Sequence, residues 1–273
     1  MIKLIATDID DTLLPCAFPV ISEQIAEMIR EVRKRDILFV VASGRQYQGL
    51  VKTFAAAKED LIYIAENGAQ IQAPGRQTQY EIMPQEDFRG IVKDYRKFRS
   101  QGEFLIAAKD GAYLENPSPF FENLVKNGMN YEYRVVNDVL EENLDVLKIS
   151  FYAPDGVRDL AYKTLIPKWK GRLNIMMGGA KWLPAVAQNA DKGIALKMLL
   201  KDYHIAPQEA MVFGDGGNDI GMFRAAAESY AVEDASHELK AIAKYICPSA
   251  AKNGVCQTIV EKVLKQVSTD CEG

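Results

Sequence analysis

Three short apolar runs near the start of the chain alternate with segments of helical character, and this alternation restricts the fold more than any other feature. The runs span residues 2–7, 37–42 and 61–65 and are predicted to be buried strands. After the first run, Ser22 is a residue type that caps helices, and an apolar stripe at helical spacing follows at Ile25, Met28, Ile29 and Val32. Strands separated by helices pair in parallel through right-handed crossovers, so these strands should end at one edge of a sheet.

The pattern changes after residue 82. The following hundred or so residues contain closely spaced strand-like runs and only two or three helices, which predicts an α+β unit with an antiparallel sheet. The first pattern then returns, with a helix opened by Asp191, a strand over 210–213 and two short edge strands over 230–232 and 244–247.

We therefore predict an α/β fold. Residues 1–82 and 185–273 should form a Rossmann-like parallel-sheet core, and residues 83–184 an inserted α+β domain.

Composition excludes several classes of protein. The chain has 273 residues and a formal net charge of -4, which gives no reason to expect nucleic acid or an acidic membrane as a partner. No apolar run is long enough to span a bilayer, and Asp8 interrupts the N-terminal run that a signal peptide would need. The four cysteines lack CxxC spacing, as expected for free thiols in a reducing cytoplasm, and the two histidines lie far apart.

Carboxylates, a hydroxyl and a lysine stand at the ends of predicted strands and at one helix start. Asp8 and Asp10 follow the first strand, and two residues apart in an extended segment they would share a face. Close carboxylates repel each other unless a cation sits between them, and a hard cation such as Mg2+ suits oxygen ligands. The other members of the group are Ser43, Lys192, Asp215, Asn218 and Asp219.

Each of these residues also has a simpler explanation when taken alone. Ser43 could be a turn residue, Lys192 a solvated surface lysine, and residues 214–219 a glycine-rich turn. That turn is not a dinucleotide fingerprint because Asp219 stands where the third glycine is needed, and no P-loop sequence occurs. The joint pattern is much harder to obtain by chance than any single member.

The joint pattern resembles the haloacid dehalogenase-like (HAD) phosphatases, in particular the Cof-type subfamily with an inserted type IIB α/β cap. Asp8-Ile9-Asp10-Asp11-Thr12-Leu13-Leu14 matches the first family motif and Ser43-Gly44-Arg45 the second, with Ser in place of the more frequent Thr. Lys192-Gly193 matches the third motif, and Gly214-Asp215-Gly216-Gly217-Asn218-Asp219 the fourth. The resemblance covers essentially the whole chain.

The resemblance implies a role for each site residue. Asp8 would be the nucleophile that forms an aspartyl-phosphate, and Asp10 the general acid and then the general base. Mg2+ would be held by Asp8, Asp215 and the main-chain carbonyl of Asp10, with Asp219 orienting a metal-bound water. The phosphoryl group would be held by Ser43, Gly44, Lys192 and Asn218.

Three functions are compatible with this pattern. The first is a Mg2+-dependent phosphatase that hydrolyses small soluble phosphomonoesters, such as sugar phosphates or cofactor-like phosphates, with the cap selecting the substrate. The second is a phosphotransferase or phosphomutase on the same core, and the third a catalytically silent metabolite-binding module. The presence of Asp8, Asp10, Lys192 and Asp215 argues against the third. We expect a cytoplasmic monomer or weak homodimer that binds a small phosphorylated metabolite.

Overall fold

The computed structural model describes residues 1–15, 20–129 and 131–265 and divides into two compact units. The first unit combines Met1–Gln79 with Asp191–Gly273, and the second is Tyr80–Ala190. The second unit is slightly wider at both ends than the range of 83–184 expected from the sequence. None of the helices in the described ranges has the length and apolar character that a membrane-spanning segment requires.

The described residues contain fourteen strands and ten α-helices. The strands are β1 Leu4–Thr7, β2 Leu38–Ala42, β3 Leu61–Ala65, β4 Gln70–Gln72, β5 Gln79–Tyr80, β6 Glu103–Ala108, β7 Gly111–Glu115, β8 Tyr133–Val136, β9 Val146–Tyr152, β10 Leu173–Ile175, β11 Trp182–Ala187, β12 Ala210–Gly214, β13 Glu228–Val232 and β14 Tyr245–Cys247. The helices are α1 Glu23–Arg33, α2 Tyr47–Thr53, α3 Gln85–Lys97, α4 Pro119–Asn123, α5 Arg158–Leu160, α6 Ile166–Trp169, α7 Lys192–Asp202, α8 Ile220–Ala225, α9 His237–Ile242 and α10 Gly254–Ile259.

The first unit is built on one eight-stranded sheet in the order β14-β13-β12-β1-β2-β3-β4-β5. The six strands from β14 to β3 are parallel, and β4 pairs with β3 in the antiparallel direction. Strand β1 is central, since it pairs with β12 on one side and β2 on the other. The predicted α/β fold with a parallel-sheet core is confirmed.

In helix α1, the residues of the predicted sequence pattern can be compared directly with the cap and the buried side chains. The side chain of Ser22 accepts a hydrogen bond from the Ile25 backbone N–H, which confirms the expected N-cap. The predicted apolar stripe of the helix is buried in the core of the first unit, together with Ala26. Burying an apolar side chain of this size stabilises the fold by about 1.5–3 kcal/mol, so the stripe fixes the helix against the sheet.

The second unit is a six-stranded sheet in the order β10-β11-β9-β6-β7-β8. One face packs against α3, whose buried side chains Phe88, Ile91, Val92 and Tyr95 join the larger core of this unit. A smaller apolar cluster on this unit centres on Leu114 and Phe121, with Phe121 supplied by α4. The expected α+β character is therefore present.

Several details of the sequence-based prediction are wrong. Strand β13 is not an edge strand, because it lies between β12 and β14. The sheet of the second unit is not wholly antiparallel, because β8 pairs in parallel with β7. The short strands β4, β5 and β8 and the six-residue helices α8 and α9 were not predicted, since segments of two to six residues offer too few positions to display a period. Of the four cysteines, Cys247 and Cys256 are buried free thiols, whereas Cys16 and Cys271 lie outside the described residues.

Candidate active site

The candidate site lies at the carboxyl ends of three adjacent parallel strands. Asp8 follows β1, Asp215 follows β12, and Ser43 follows β2. Because β1 pairs with both neighbours, their ends meet at one edge of the sheet. The backbone N–H of Asp8 donates to the Phe213 carbonyl at 3.1 Å, which continues the β1–β12 ladder up to the site. Ligands of open α/β sheets bind at this edge.

A buried lysine joins two of the predicted carboxylates. The Lys192 ammonium lies 2.5 Å from Asp8 Oδ1 and 2.8 Å from Asp219 Oδ1. The side chains of Lys192 and Asp219 are 0% exposed, and that of Asp8 is 9% exposed. A lysine removed from water in this way needs charged partners, and it has two. Lys192 is therefore not a solvated surface lysine.

The position of Lys192 is set by the start of α7. Asp191 caps this helix, with Oδ1 accepting the backbone N–H groups of Gly193 at 2.7 Å and Ile194 at 3.1 Å. Gly193 lies so close to α8 that an added Cβ would fall 2.1 Å from the carbonyl carbon of Gly221. A side chain larger than hydrogen at position 193 would therefore separate the two helices and displace Lys192.

Asp219 uses both carboxylate oxygens within the site. Oδ1 accepts from Lys192, and Oδ2 accepts the backbone N–H groups of Asp215 and Gly216, each at 3.0 Å. These bonds hold the turn after β12 in shape and so fix Asp215 beside Asp8. Since its oxygens are already engaged, Asp219 is better suited to orienting its neighbours than to binding a cation alone.

The ionisation of the site reflects an excess of negative charge. Burial raises the pKa of Asp8 well above its usual value, and the Lys192 charge only partly opposes this. Burial and the charge of Asp219 raise the pKa of Asp215 to about 6, while the Thr12 hydroxyl donates to Asp215 Oδ1 at 3.0 Å. Burial by itself would lower the pKa of Lys192, but Asp219 and Asp8 together raise it, so this residue keeps its proton.

The three carboxylates fit a divalent cation. Asp8, Asp215 and Asp219 can each present one oxygen so that the three atoms lie within 4.8 Å of one another. Among the described residues, Lys192 supplies the ammonium group against this cluster, and an oxygen-only donor set matches hard cations such as Mg2+. Burial and the charge of Asp219 raise the pKa of Asp215 to about 6, so a bound cation would stabilise its ionised form.

Asp10 is not part of this carboxylate cluster. Arg45 Nε donates to Asp10 Oδ2 at 2.9 Å, and Arg45 Nη2 donates to Asp10 Oδ1. The Asp10 side chain is 39% exposed, so it is reachable by a ligand. A two-pronged contact of this kind fixes the plane of the carboxylate as well as its position. The contribution predicted for its main-chain carbonyl stays a prediction.

Apart from Lys192, the expected phosphate-binding residues lie on two turns that share one contact. Ser43 is buried, and its hydroxyl oxygen accepts the Arg45 backbone N–H at 3.1 Å, which leaves the hydroxyl proton to donate. An added Cβ at Gly44 would lie 3.0 Å from Asn67 Oδ1, and the Asn218 side-chain amide donates to that same oxygen at 3.2 Å. Asn67 therefore connects the turn after β2 with the turn after β12.

Comparison with known proteins identifies the family of the chain. The family model of the haloacid dehalogenase-like hydrolases matches residues 5–259. The chain belongs to this family. The 5-amino-6-(5-phospho-D-ribitylamino)uracil phosphatase YbjI of Escherichia coli (strain K12) is 29% identical to it over 272 residues, which cover 97% of each chain.

Solved structures show the same relationship. A protein of Eubacterium rectale is 31% identical, has a TM-score of 0.85, and is matched over 96% of this chain and 99% of its own. The HAD subclass IIB sugar phosphatase BT4131 has a TM-score of 0.80 at 20% identity, over 95% of this chain and 98% of its own, and therefore shares the fold. The resemblance to Cof-type HAD phosphatases is confirmed, and this chain is a phosphatase of the HAD superfamily.

Three residues near the site of this HAD phosphatase received no role from the sequence. Thr12 donates to Asp215, Arg45 holds Asp10, and Asn67 contacts both Gly44 and Asn218. Thr12 and Arg45 stand inside the quoted motifs, but their partners are 203 and 35 residues away in the chain. The sequence contained one local indication of the backbone conformation at Asn67. Asn tolerates the left-handed conformation, and Asn67 adopts it here with φ 57°.

The pKa of Asp215 leads to a test of the carboxylate cluster that does not depend on turnover. In EDTA at pH 7.5, Asp215→Asn should raise Tm by roughly 2–5 °C, because a neutral amide replaces a partly buried charge beside Asp219. The gain should shrink at pH 5. A carboxyl whose pKa is raised in the folded state, here from 3.8 to about 6, destabilises the fold increasingly as the pH rises between these two values, and the loss is complete above about 6. Mg2+ should then raise the Tm of the wild type but not that of the variant.

Asp36→Asn is the matched control for this measurement. Asp36 is exposed and lies in the turn before β2, so its substitution should change neither Tm nor the response to Mg2+. Scanning calorimetry of the three proteins with EDTA and with Mg2+ gives the comparison. An equal Mg2+ response in Asp215→Asn would place the cation outside this cluster.

Proposed function

We propose that this HAD phosphatase hydrolyses small soluble phosphomonoesters in a Mg2+-dependent reaction that passes through an aspartyl-phosphate on Asp8. The observation that carries the proposal is the buried Asp8–Lys192–Asp219 arrangement beside Asp215. A phosphate dianion and a carboxylate nucleophile repel each other, and this arrangement supplies a fixed positive charge against the nucleophile. Positive charge held in a water-poor site acts on the transition state without reorganising.

In the first step, an Asp8 oxygen attacks phosphorus while the bond from phosphorus to the ester oxygen breaks. Asp10 gives its proton to the departing oxygen. In the second step, water attacks phosphorus, passes a proton to the Asp10 carboxylate, and the bond between phosphorus and Asp8 breaks. Arg45 orients the ionised Asp10 carboxylate for its role as base, and one of the two Arg45 contacts must open when Asp10 carries the proton for the first step.

The remaining polar groups are assigned to the transferring phosphoryl group. The Ser43 hydroxyl can donate because its oxygen already accepts the Arg45 N–H. Lys192 offers a point charge and Asn218 an amide N–H, while the absence of a side chain at Gly44 leaves room for Asn67. Asp8, Asp215 and the Asp10 carbonyl would hold Mg2+, with Asp219 fixing Asp215. The bound ion would neutralise charge on the phosphoryl oxygens.

The relatives and the second unit support the proposed substrate class. The relative YbjI is named for a phosphorylated ribitylaminouracil, a small phosphorylated metabolite. The groups at Asp8, Ser43 and Lys192 handle only the phosphate, so we assign the choice of substrate to residues of the unit Tyr80–Ala190.

The proposal is tested with a generic aryl phosphate. EDTA should abolish release of the aryl alcohol, and added Mg2+ should restore it, because the cation supplies charge that Lys192 alone does not. Phosphate should appear without any acceptor alcohol, as hydrolysis requires. Full activity in EDTA would refute the metal requirement, and a need for an acceptor would identify a phosphotransferase instead.

A further inference from the structure

A cavity on the first unit, separate from the candidate active site, is rimmed by positive charge. It has a volume of about 570 Å³ and lies among the last turns of α7 and α8 and the segment before β12. This volume is within the range of sites that hold small organic molecules. Its rim carries Lys197, Lys201 and Arg224.

The floor of the cavity is apolar. Leu200, Ile205, Ala225 and Ala226 line it, and each of these side chains is at most 9% exposed. Among the described residues that line the cavity there is no aspartate or glutamate. A ligand would therefore meet an apolar base below and cations at the edge.

The three cations have no carboxylate partner within the described part of the chain. Other cations of the chain do form ion pairs, such as Lys3 with Glu209 and Arg76 with Asp202. Lys197 and Lys201 lie one turn apart on α7, where like charges repel each other. In a chain of net charge -4, three unpaired cations around one cavity are a local excess of positive charge.

A simpler explanation accounts for part of this arrangement. Lys201 and Arg224 stand in the last turns of their helices, where cations stabilise the C-terminal carbonyl groups. That effect does not explain Lys197, which is in the middle of α7, nor the apolar cavity between the three side chains.

We propose that this cavity binds a small organic anion, with its anionic group held by Lys197, Lys201 and Arg224 and its apolar body resting on Leu200 and Ile205. The site would be independent of the catalytic carboxylates. Lys192 belongs to the same helix but stands at its opposite end, about 13 Å from Lys201 at 1.5 Å per residue.

The test uses 4-fluorophenylphosphonate, a non-hydrolysable anion with an apolar ring, followed by 19F NMR. The titration is done on the full chain in EDTA, which suppresses binding at the metal-dependent active site. We expect one equivalent to bind, and Lys201→Glu or Arg224→Glu to weaken it at least tenfold. Ala227→Phe, which fills the cavity without changing charge, should do the same. Sulfate, which lacks an apolar body, should bind at least tenfold more weakly than the phosphonate.

Lys126→Glu is the matched control, because it makes the same charge change on the second unit and should leave binding intact. Three results would each overturn the proposal. They are an equal loss of binding in Lys126→Glu, unchanged binding in both Lys201→Glu and Ala227→Phe, and no binding that persists in EDTA. None of these results depends on catalysis. The binding experiment therefore tests the proposed anion site and leaves the proposed phosphatase mechanism to the kinetic experiments.

Discussion

Asp8→Asn should reduce turnover at least about 10³-fold while the protein stays folded. The amide is a poor nucleophile and cannot form the phosphoenzyme. Its carbonyl oxygen can still accept the Lys192 ammonium, and Lys192 keeps Asp219 as a charged partner at 2.8 Å. The stability of the fold should therefore not fall, since burial already disfavours the charge of Asp8. Steady-state hydrolysis and thermal unfolding on one preparation measure the two quantities.

Asp94→Asn provides a contrasting control for buried aspartates. Asp94 in α3 is buried and accepts bonds from Lys97, Lys168 and Trp169. Removing its charge should lower stability, because the bonds that the buried Asp94 carboxylate accepts from Lys97, Lys168 and Trp169 are stronger when their acceptor is charged. Its folded fraction should keep hydrolysing an aryl phosphate. If Asp8→Asn retained turnover within tenfold of the wild type, Asp8 would not be the nucleophile.

The meeting point of the strand ends at this site could be predicted from the sequence, because a parallel topology itself fixes where they meet. Apolar runs and helical stripes gave the order of strands β1 to β3, and a parallel sheet brings their carboxyl ends together. The structure accordingly brings Asp8, Asp215, Asp219 and Lys192 into contact. For these residues, backbone topology does most of the positioning.

The hydrogen bonds that fix the orientation of individual side chains could not be predicted in the same way. The bond from Thr12 to Asp215 and the fork from Arg45 to Asp10 depend on rotamers and on loop conformations that no local period encodes. The place of β13 inside the sheet has a similar cause. Its short apolar run is compatible with an edge or an interior position, and only pairing with β14 decides between them.

Asp10→Asn should change the kinetics in a way that Asp8→Asn cannot. An aryl phosphate has a good leaving group and hardly needs a proton in the first step, but water in the second step still needs a base. The variant should therefore accumulate phosphoenzyme. Rapid mixing should show a burst of aryl alcohol about equal to the enzyme concentration, followed by a slow steady state. The amide oxygen introduced by this substitution can still accept one of the two Arg45 bonds, so the side chain stays near its place.

The leaving group separates the chemical role of Asp10 from a merely positional one. With an alkyl phosphate, the first step also needs the proton, so the burst should vanish in Asp10→Asn and both steps should be slow. A side chain that only positioned the substrate would slow aryl and alkyl esters alike and give no burst with either. Intact-protein mass then locates the phosphate, which should be on Asp8 in the burst phase. A burst from Asp8→Asn, or phosphate found on Asp10 of the wild type, would show that the roles of the two carboxylates are reversed.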